Sequence, residues 1–565
     1  MVARALDADS ATSVADALVD WLIQAGVRRA FGVSGGGVAA LWSAVSVREE
    51  LTLVHTQHES GALFAATEAS LLTGELVVVL VTTGPGLTNA LTGLVAARQE
   101  GARVLLLSGL TPAARRGRGA TQETGPEGPL GALYHPGAIL HLGAAVGSVA
   151  QLQAALHQVA WGAAGEGGFV AHLGLPSDLL MEAGGPLPCA PVTRPPAGVD
   201  PGALDALAQA VDAGEVVVVL GRSAAPAREG LEALVRQAGL RVVSAPHGKG
   251  VLPEDHPCHL GVVGFGGQEC ATAGLRQRPF AELLLLGVQL SEAESGWSAA
   301  LRPRRRVVVV GATGEAPLSA WPEVETTAIA ASVAAVVDGL LARVRATRPL
   351  ALPAPRLERA PVTRAPVTSA GGRVRPSALI AAVQTHVVDA TDALLLAECG
   401  NAFAWAIHHL RMPAPRLRVS VGWGSMGHAT LGAIGVAATG RRAVALVGDG
   451  AMLMGHELAT AARHGLDVVW IVLNDHGYGM CRHGMSAQGL PARELDQAGV
   501  DFCAFAASLG VAGVRIDGEA HLDARLSAAL ARPGPVVIDV HIDPDERAPI
   551  SARVQSLTFH APSGD

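Results

Sequence analysis

Aromatic residues and lysine are scarce in this sequence of 565 residues. Phe, Trp and Tyr together make up 3% of the chain, and Lys249 is the single lysine among 42 lysine and arginine residues. Long hydrophobic runs are also lacking, since no apolar stretch reaches the roughly 20 residues that a transmembrane helix needs. The first residues do not resemble a signal peptide. We therefore expect a chain that is neither secreted nor embedded in a membrane, with no membrane partner.

Cysteine pairs and basic clusters are missing as well. The six cysteines are scattered and none forms a CxxC pair, which argues against both a zinc site of that spacing and a dense disulfide framework. The thiols are expected to be reduced, as in the cytoplasm. The formal net charge of −8 is spread along the chain, which argues against nucleic acid as a partner.

The length of the chain predicts several domains, because single cores rarely grow beyond about 250–300 residues. Valine- and leucine-rich runs alternate with helical patterns in three blocks, which is typical of the α/β class with parallel sheets. Proline-rich breaks separate these blocks. We predict three doubly wound parallel-sheet domains at 1–188, 189–345 and 377–565, with a linker at 346–376.

The most informative motif is Gly448-Asp449-Gly450, which ends the apolar run "AVALV". A helical pattern and a second apolar run follow, and the second run ends at Asn474. Parallel strands present their carboxyl ends at one edge of a sheet, where α/β proteins bind ligands. A carboxylate, an amide oxygen and backbone carbonyls suit Mg²⁺, and the N–H groups of Gly450 and Ala451 suit phosphate. The motif therefore predicts a metal-bridged diphosphate.

The stretch "GDGAMLMGHELATAARHGLDVVWIVLND" resembles the signature of thiamine diphosphate enzymes. The resemblance extends over nearly the whole chain, and it is closest to the acetohydroxyacid synthase and benzoylformate decarboxylase group. It implies that the three blocks are the pyrimidine-binding, middle and diphosphate-binding domains. It also implies that Asp449, Asn474 and the carbonyl of His476 hold Mg²⁺.

A second stretch, "LTLVHTQHESGAL", resembles the segment that carries the activating glutamate of this family, which here is Glu59. A carboxyl group that donates to N1′ of the aminopyrimidine favours the imino tautomer, and that tautomer can deprotonate the thiazolium C2. Burial keeps such a carboxyl partly protonated near neutral pH. The alternative is an acid that merely complements the helix dipole in the first turn.

Two further stretches imply cofactor contacts by the same resemblance. In "VSVGWGSMGHATLG", Met426 matches the apolar wedge between the two cofactor rings, and the carbonyl of Gly424 should accept from the 4′-amino group. The loop "AECGNAFAW" matches a diphosphate-binding loop and brings Gly400 and Asn401 near that group. Many relatives carry a polar side chain where this sequence has Ala402, and the contact there must use the backbone or be absent.

Several polar residues should face the reacting carbon. The resemblance makes Thr82 and Gln122 catalytic candidates beside Glu59. Candidate substrate contacts come from a glycine-rich turn, from the strand-to-helix turn "TTGPGLTN" and from the segment after Asn474; they are Gly36, Thr83, Arg482 and His483.

The resemblance implies that the ylid of thiamine diphosphate attacks a small 2-oxo acid, that CO₂ leaves and that an enamine forms. The enamine then adds to a second carbonyl or is protonated to release an aldehyde. The first block has no His-His pair of the pyruvate decarboxylase type, and Thr82 stands where benzoylformate decarboxylase has histidine. We therefore favour carboligation over simple decarboxylation. A catalytically silent regulatory subunit is a third hypothesis, which the intact Glu59, Asp449 and Asn474 oppose.

The middle block departs from the acetohydroxyacid synthases. The stretch "LGVQLSEAESGWSA" has Ala293 and Trp297 where those enzymes carry Arg and Lys. This difference argues against branched-chain synthesis and against bound FAD. Family members place the activating glutamate and the metal-binding aspartate on different subunits, which implies a homodimer or homotetramer with active sites at the subunit interface.

Overall fold

The computed structural model describes residues 12–194, 198–311, 320–345 and 372–550. Most of the predicted linker, 346–371, lies outside these residues, and the predicted domain boundaries stay predictions. No helix in the described ranges has the length and apolar character needed to cross a membrane.

The chain forms two compact units. The first extends to Arg194 and takes in two later segments, Leu431–Gly440 and His456–Leu466. The second comprises Pro195–Thr430, Arg441–Gly455 and Asp467–Asp565. The segment His456–Leu466, which follows the GDG motif in sequence and contains Glu457, therefore belongs to the first unit.

The first unit is built on a parallel sheet. Its described strands are β1 (Arg29–Gly32), β2 (Thr52–His55), β3 (Val77–Val81), β4 (Arg103–Leu110), β5 (Leu142–Ala145) and β6 (Phe169–Pro176). They lie in the order β2-β1-β3-β4-β6-β5, and neighbouring strands are parallel. Valine and leucine dominate the central strands and are buried on both faces, as in sheets that are covered by helices on each side.

Helices cover this first sheet. They are α1 (Val14–Gln24), α2 (Ala39–Ser46), α3 (Glu59–Thr73), α4 (Pro85–Glu100), α5 (Val149–Ala163) and α6 (Ser177–Met181), with 3₁₀ turns at Gly36–Val38, Ala113–Arg115 and Gly131–Tyr134. Local sequence explains their starts. Ser13 and Asp16 form a capping box at α1, and proline occupies the first position of α4, where its missing N–H costs nothing.

The second unit contains two more parallel sheets. The strands of its first sheet are β7 (Val216–Leu220), β8 (Arg241–Ser244), β9 (His259–Val262), β10 (Glu282–Leu286), β11 (Arg306–Val310) and β12 (Glu325–Ile329). Their order is β12-β11-β10-β7-β8-β9, which is the doubly wound order of dinucleotide-binding folds. The helices are α7 (Pro201–Asp212), α8 (Arg228–Ala238), α9 (Glu269–Gln277), α10 (Glu292–Ser295) and α11 (Val333–Leu341), with 3₁₀ turns at Arg222–Ala227, Pro246–Gly248 and Ala299–Leu301.

The last sheet repeats the strand order of the first. Its strands are β13 (Leu394–Ala397), β14 (Leu417–Val419), β15 (Ala443–Gly448), β16 (Val468–Asn474), β17 (Ala512–Ile516) and β18 (Val536–His541). Their order is β14-β13-β15-β16-β18-β17, again all parallel. The structure confirms the predicted α/β class with three doubly wound parallel sheets.

The helices after the linker complete the list. They are α12 (Pro376–Val383), α13 (Asn401–His409), α14 (His428–Ala437), α15 (Asp449–Met452), α16 (Leu458–His464), α17 (Gly479–Ala487), α18 (Phe502–Ser508) and α19 (Leu522–Leu530), with a π-helical turn at Gln384–Val388 and a 3₁₀ turn at Glu519–His521. Of these, α16 and most of α14 lie in the first unit.

The strand orders of the first and last sheets predict a ligand-binding edge in each of them. In both the first and the last sheet, the chain reverses its direction of winding between the first and third strands of that sheet, and ligands of α/β proteins bind beyond the carboxyl ends of such strands. In the last sheet these strands are β13 and β15, which are followed by the "AECGN" loop and by Asp449.

Candidate active site

Asp449 and Asn474 lie at the carboxyl ends of neighbouring strands. Gly448, the last residue of β15, pairs with Leu473 of β16. Asp449 directly follows Gly448, and Asn474 directly follows Leu473. Both are buried. The loop after β16 contacts both side chains, because the backbone N–H of His476 donates to Asn474 Oδ1 (3.3 Å) and that of Gly477 donates to Asp449 Oδ2 (2.9 Å). The structure therefore brings these two predicted residues to one place.

The carboxylate of Asp449 sits in an environment that disfavours its charge. Burial, followed by the charge of Asp475, raises the pKa of Asp449 to about 7. Hydrogen bonds from Gly450 N (2.8 Å) and Gly477 N only partly offset this effect. A buried acid beside a second acid is stabilised as the anion when a cation joins them.

The amide of Asn474 is oriented by a residue that sequence reasoning missed. Asn474 Nδ2 donates to Asp539 Oδ1 at 2.9 Å, and the amide nitrogen therefore faces β18. The amide oxygen of Asn474 points the other way, where it can coordinate a metal ion. Asp539 is completely buried, and Arg515 and His541 lie 3.5 Å from its other oxygen. The signal in the sequence is one acid within the apolar run "VVIDV", which has no local reason to be there.

His476 has an unusual backbone. Its φ is +57°, a left-handed conformation that is uncommon for residues other than glycine. Its carbonyl accepts from Gln497 N at 2.8 Å, which leaves the second lone pair of that oxygen for a metal ion. Such strained residues concentrate at ligand sites.

The loop after β13 lies beside Asp449, because β13 and β15 are neighbours. Gly400 has φ +126°, which only glycine adopts readily. Asn401 begins α13, and its buried Oδ1 has no hydrogen-bond partner among the described residues. A buried acceptor of this kind indicates a missing donor.

The loop that carries Gly424 and Met426 is held by Glu398. This buried carboxylate accepts from Gly427 N (3.1 Å), Thr430 N (3.0 Å) and the Thr430 hydroxyl (2.8 Å). Met426 is 39% exposed, and its side chain is therefore available to a ligand or a partner rather than part of the core of its own unit. Glu398 is a second residue that sequence reasoning did not single out.

In the first unit, Glu59 is the first residue of α3 and directly follows the turn after β2. It is 7% exposed, and Asn89 Nδ2 donates to its Oε2 at 3.1 Å. Its Oε1 lies close to the backbone of Gly86, where a Cβ would be 3.4 Å away. A specific partner and burial distinguish Glu59 from an acid that only complements a helix dipole.

The remaining first-unit candidates cluster at the carboxyl ends of β1 and β3. The backbone N–H of Gly37, next to Gly36, donates to Thr82 Oγ1 (3.3 Å), and the hydroxyl of Thr83 donates to Gln122 Oε1 (3.4 Å). Gln122 has φ +60°, which is a second strained residue at a predicted position. The structure brings Gly36, Thr82, Thr83 and Gln122 together.

Arg482 and His483 have partners within their own unit. Arg482 contacts Asp496 at 2.9 Å and Asp475 at 3.6 Å. His483 is buried, and its Nε2 lies 3.0 Å from the carbonyl oxygen of Pro544. These contacts give both residues a structural role, and their predicted role in substrate binding stays a prediction.

Three sequence models of one family match the chain. The N-terminal TPP binding domain of thiamine pyrophosphate enzymes matches residues 12–127, the central domain matches 203–340, and the C-terminal TPP binding domain matches 398–540. The chain belongs to the thiamine pyrophosphate enzyme family. This confirms the predicted family.

This thiamine pyrophosphate enzyme is similar to acetolactate synthases along nearly its whole length. It is 29% identical to the acetolactate synthase large subunit of Parasynechococcus marenigrum, over 96% of this chain and 90% of that protein. It is 27% identical to the isozyme 1 large subunit of Escherichia coli, over 94% of each. The fold is also similar to the X-ray structure of a candidate thiamin diphosphate-dependent enzyme from Mycobacterium smegmatis, with a TM-score of 0.79, 20% identity, and coverage of 94% of this chain and 100% of that one.

The residues at the edge of the last sheet fit the cofactor of this thiamine pyrophosphate enzyme. They offer one carboxylate, one amide oxygen and one backbone carbonyl, a hard oxygen set of the kind that Mg²⁺ prefers. The unpartnered oxygen of Asn401 and the glycine at position 400 lie beside this set. The donor set and the buried carboxyl group of Asp449 therefore match a cation that binds a diphosphate.

Proposed function

We propose that the protein uses thiamine diphosphate and Mg²⁺ to decarboxylate a small 2-oxo acid. The carbon nucleophile that remains is then joined to a second carbonyl compound. The observation that carries this proposal is the pair of oriented oxygen donors at the ends of β15 and β16. The similarity to acetolactate synthases supports carboligation as the outcome.

In this proposal Asp449, Asn474 and the carbonyl of His476 hold Mg²⁺, and Gly400, Asn401, Gly450 and Ala451 bind the diphosphate. Thiamine diphosphate, when bound, supplies a nucleophilic carbon that adds to the 2-oxo acid and accepts the electron pair left by CO₂. Met426 and the carbonyl of Gly424 orient the two rings.

Glu59 holds the proton that activates the cofactor. Because Asn89 donates to Oε2, Oε1 is the oxygen that is free to carry a proton and donate it to N1′ of the pyrimidine. Thr82, Thr83 and Gln122 supply hydroxyl and amide groups that orient the substrate carbonyls.

The middle domain supports an enzyme without FAD. Ala293 is buried, and Trp297 is 49% exposed with φ +45°, where the acetohydroxyacid synthases carry Arg and Lys. Glu294, within this segment, is in hydrogen-bond contact with Nδ1 of His247. We expect the purified protein to lack the visible absorption of a flavin, and a flavin retained in stoichiometric amount would contradict this part of the proposal.

We further propose a homodimer or homotetramer in the cytoplasm, with active sites at the subunit interface. Large apolar side chains are exposed on the loops around the candidate site of the second unit, and such patches mark interaction surfaces. They are Trp423, Met426, Leu453, Tyr478 and Leu490. Sedimentation analysis tests this proposal, and a monomer at micromolar concentration in the presence of cofactor would overturn it.

Product analysis tests the reaction. Purified protein is incubated with thiamine diphosphate, Mg²⁺ and a panel of 2-oxo acids, with and without added aldehydes, and products are identified by mass spectrometry. We expect CO₂ together with a hydroxyketone or a 2-hydroxy-2-alkyl-3-oxo acid. Free aldehyde alone would favour the decarboxylase alternative, and no CO₂ from any 2-oxo acid would favour the silent regulatory subunit.

A further inference from the structure

Glu457 is a buried carboxylate of the first unit that the proposed function does not use. It lies in "GHELATA", immediately before α16, and its side chain is completely buried. Burial raises the pKa of Glu457 to about 7. Because an acid in such a place costs stability unless it is hydrogen-bonded, its partners indicate what it does.

The partners of Glu457 are the two backbone N–H groups that precede Glu59. Gln57 N lies 3.0 Å from Oε1 and 3.1 Å from Oε2, and His58 N lies 3.2 Å from Oε1. The hydroxyl of Thr460 donates to Oε2. N–H groups at the start of a helix have no partner inside that helix, and a carboxylate that accepts from them fixes the position of the helix start.

This contact replaces a capping box. His58 is the N-cap residue of α3, and its ring accepts from Ser60 N at 3.1 Å. In a capping box the third helical residue binds the N–H of the N-cap residue, as Asp16 does for Ser13 at α1. In α3 the third residue is Gly61, and a Cβ there would lie 2.4 Å from Glu457 Oε1. The carboxylate of Glu457, from a distant part of the chain, therefore occupies the place of the side chain that Gly61 lacks.

We propose that Glu457 is a positioning residue for Glu59. With the N–H groups of Gln57 and His58 already bound, the carboxyl of Glu59 is not drawn back to cap its own helix, and it stays in contact with Asn89. First-turn acids readily bind free N–H groups at a helix start. The inference rests on the proposed role of Glu59 as the activating acid.

Amide hydrogen exchange tests the contact in the cofactor-free protein. In E457Q a single neutral amide oxygen, a weaker acceptor than the carboxylate, has to serve both N–H groups, and we expect the N–H groups of residues 57 and 58 to exchange about tenfold faster at pH 8 than in wild type. The matched control is E282Q, which changes an equally buried carboxylate in the second unit and should leave this exchange unchanged. Unchanged exchange in E457Q would overturn the proposal.

Exchange of the C2 proton of bound thiamine diphosphate tests the positioning role. We expect E457Q to slow this exchange about tenfold while the dissociation constant of the cofactor stays within about twofold. The double variant E59Q/E457Q should exchange no more slowly than E59Q, because Glu457 acts through Glu59. Additive losses would overturn the positioning role and indicate a general loss of structure.

The two proposals fail in different ways. If E59Q exchanges C2–H at the wild-type rate, the assignment of the activating acid is wrong. If E59Q is slow but E457Q is not, the acid is correct and the positioning role of Glu457 is wrong. Should E457Q fail to fold, G61A provides the same test, because its methyl group displaces the carboxylate from the two N–H groups while Glu457 remains in the sequence.

Discussion

The proposed cation site at Asp449 and Asn474 depends on neighbouring residues that orient the oxygen atoms of both side chains. Asp539 binds the amide nitrogen of Asn474 at 2.9 Å, and the N–H groups of Gly450 and Gly477 each bind one oxygen of Asp449. Partners of this kind typically change metal affinity by about 10- to 100-fold when they are removed. Orientation at this site is therefore a property of pairs of residues rather than of the two ligands alone.

Glu59→Gln tests the activating acid. The variant keeps the size of the side chain and its contact with Asn89, and we expect the binding of thiamine diphosphate and Mg²⁺ to stay nearly unchanged. Loss of the proton on Oε1 should slow C2–H exchange by about 100-fold or more. The rate is measured by quenched-flow NMR in deuterated buffer, with N89A as a variant that should give a smaller loss.

Glu457 also predicts how stability depends on pH. Burial places its folded pKa at about 7, above the ordinary value of 4.5, and the folded state therefore binds more protons than the unfolded state between these values. This group then makes the free energy of unfolding fall as pH rises from about 4.5 to 7, by up to about 3 kcal/mol. Denaturant unfolding across this range tests the sign, and E457Q should remove this part of the pH dependence. A stability that rises through the same window in wild type but not in E457Q would contradict it.

At the scale of elements, the loop between β14 and α14 is held in place by a residue that follows β13, a strand that is not adjacent to this loop in the sequence. Glu398, which follows β13, binds the backbone of Gly427 and Thr430. The start of α14 and the loop that carries Met426 are thereby fixed to the end of β13. The last sheet thus carries the loop that we propose binds the diphosphate, and through one carboxylate it holds the loop that we propose binds the rings.

Glu398→Gln should loosen this loop without unfolding the sheet. The variant loses acceptance from at least one of four donors, and hydrogen bonds to a charged group each contribute about 1.5–3 kcal/mol. We expect faster amide exchange at residues 424–430 and an affinity for thiamine diphosphate that is weaker by about tenfold. E325Q, at an exposed position of β12, serves as the control. Wild-type affinity in E398Q would show that the loop is fixed by other contacts.

At the scale of the whole molecule, the first and last sheets share a strand order while the sheet between them differs. The predicted pyrimidine-binding and diphosphate-binding residues occupy corresponding edges of the two similar sheets, beyond the strands where the winding reverses. Stability of the protein should respond to the complete cofactor, because binding to the folded state shifts the unfolding equilibrium.

Mg²⁺ and thiamine diphosphate together should raise the unfolding temperature. The free energy of unfolding should increase by about 2.7 kcal/mol when the cofactor is present at 100 times its dissociation constant. EDTA should reverse this effect. D449A should abolish it, because the substitution removes the charged metal ligand, whereas D545N, at an exposed acid of the same unit, should keep it. Differential scanning fluorimetry provides the measurement, and equal stabilisation of D449A would exclude Asp449 as a ligand.

Much of the site could be predicted from local sequence. The interval between Asp449 and Asn474 fits one strand-helix-strand unit, and the structure places the two residues on paired strand ends. The sequence predicts Glu59 at a helix start, and in the structure it is the first residue of α3. These predictions succeed because each depends on a single element or on one crossover, for which spacing and residue type are sufficient.

The sequence by itself determined the α/β class, the family and the residue types of the proposed cofactor site, because parallel strands and their glycine-rich turns have local signatures. Only the tertiary structure decided which acids position that site. Glu457, Glu398 and Asp539 act on backbone or side chains that are 400, 32 and 65 residues away in the chain. Their partners are selected by packing between distant elements, and no local pattern encodes a contact of that kind.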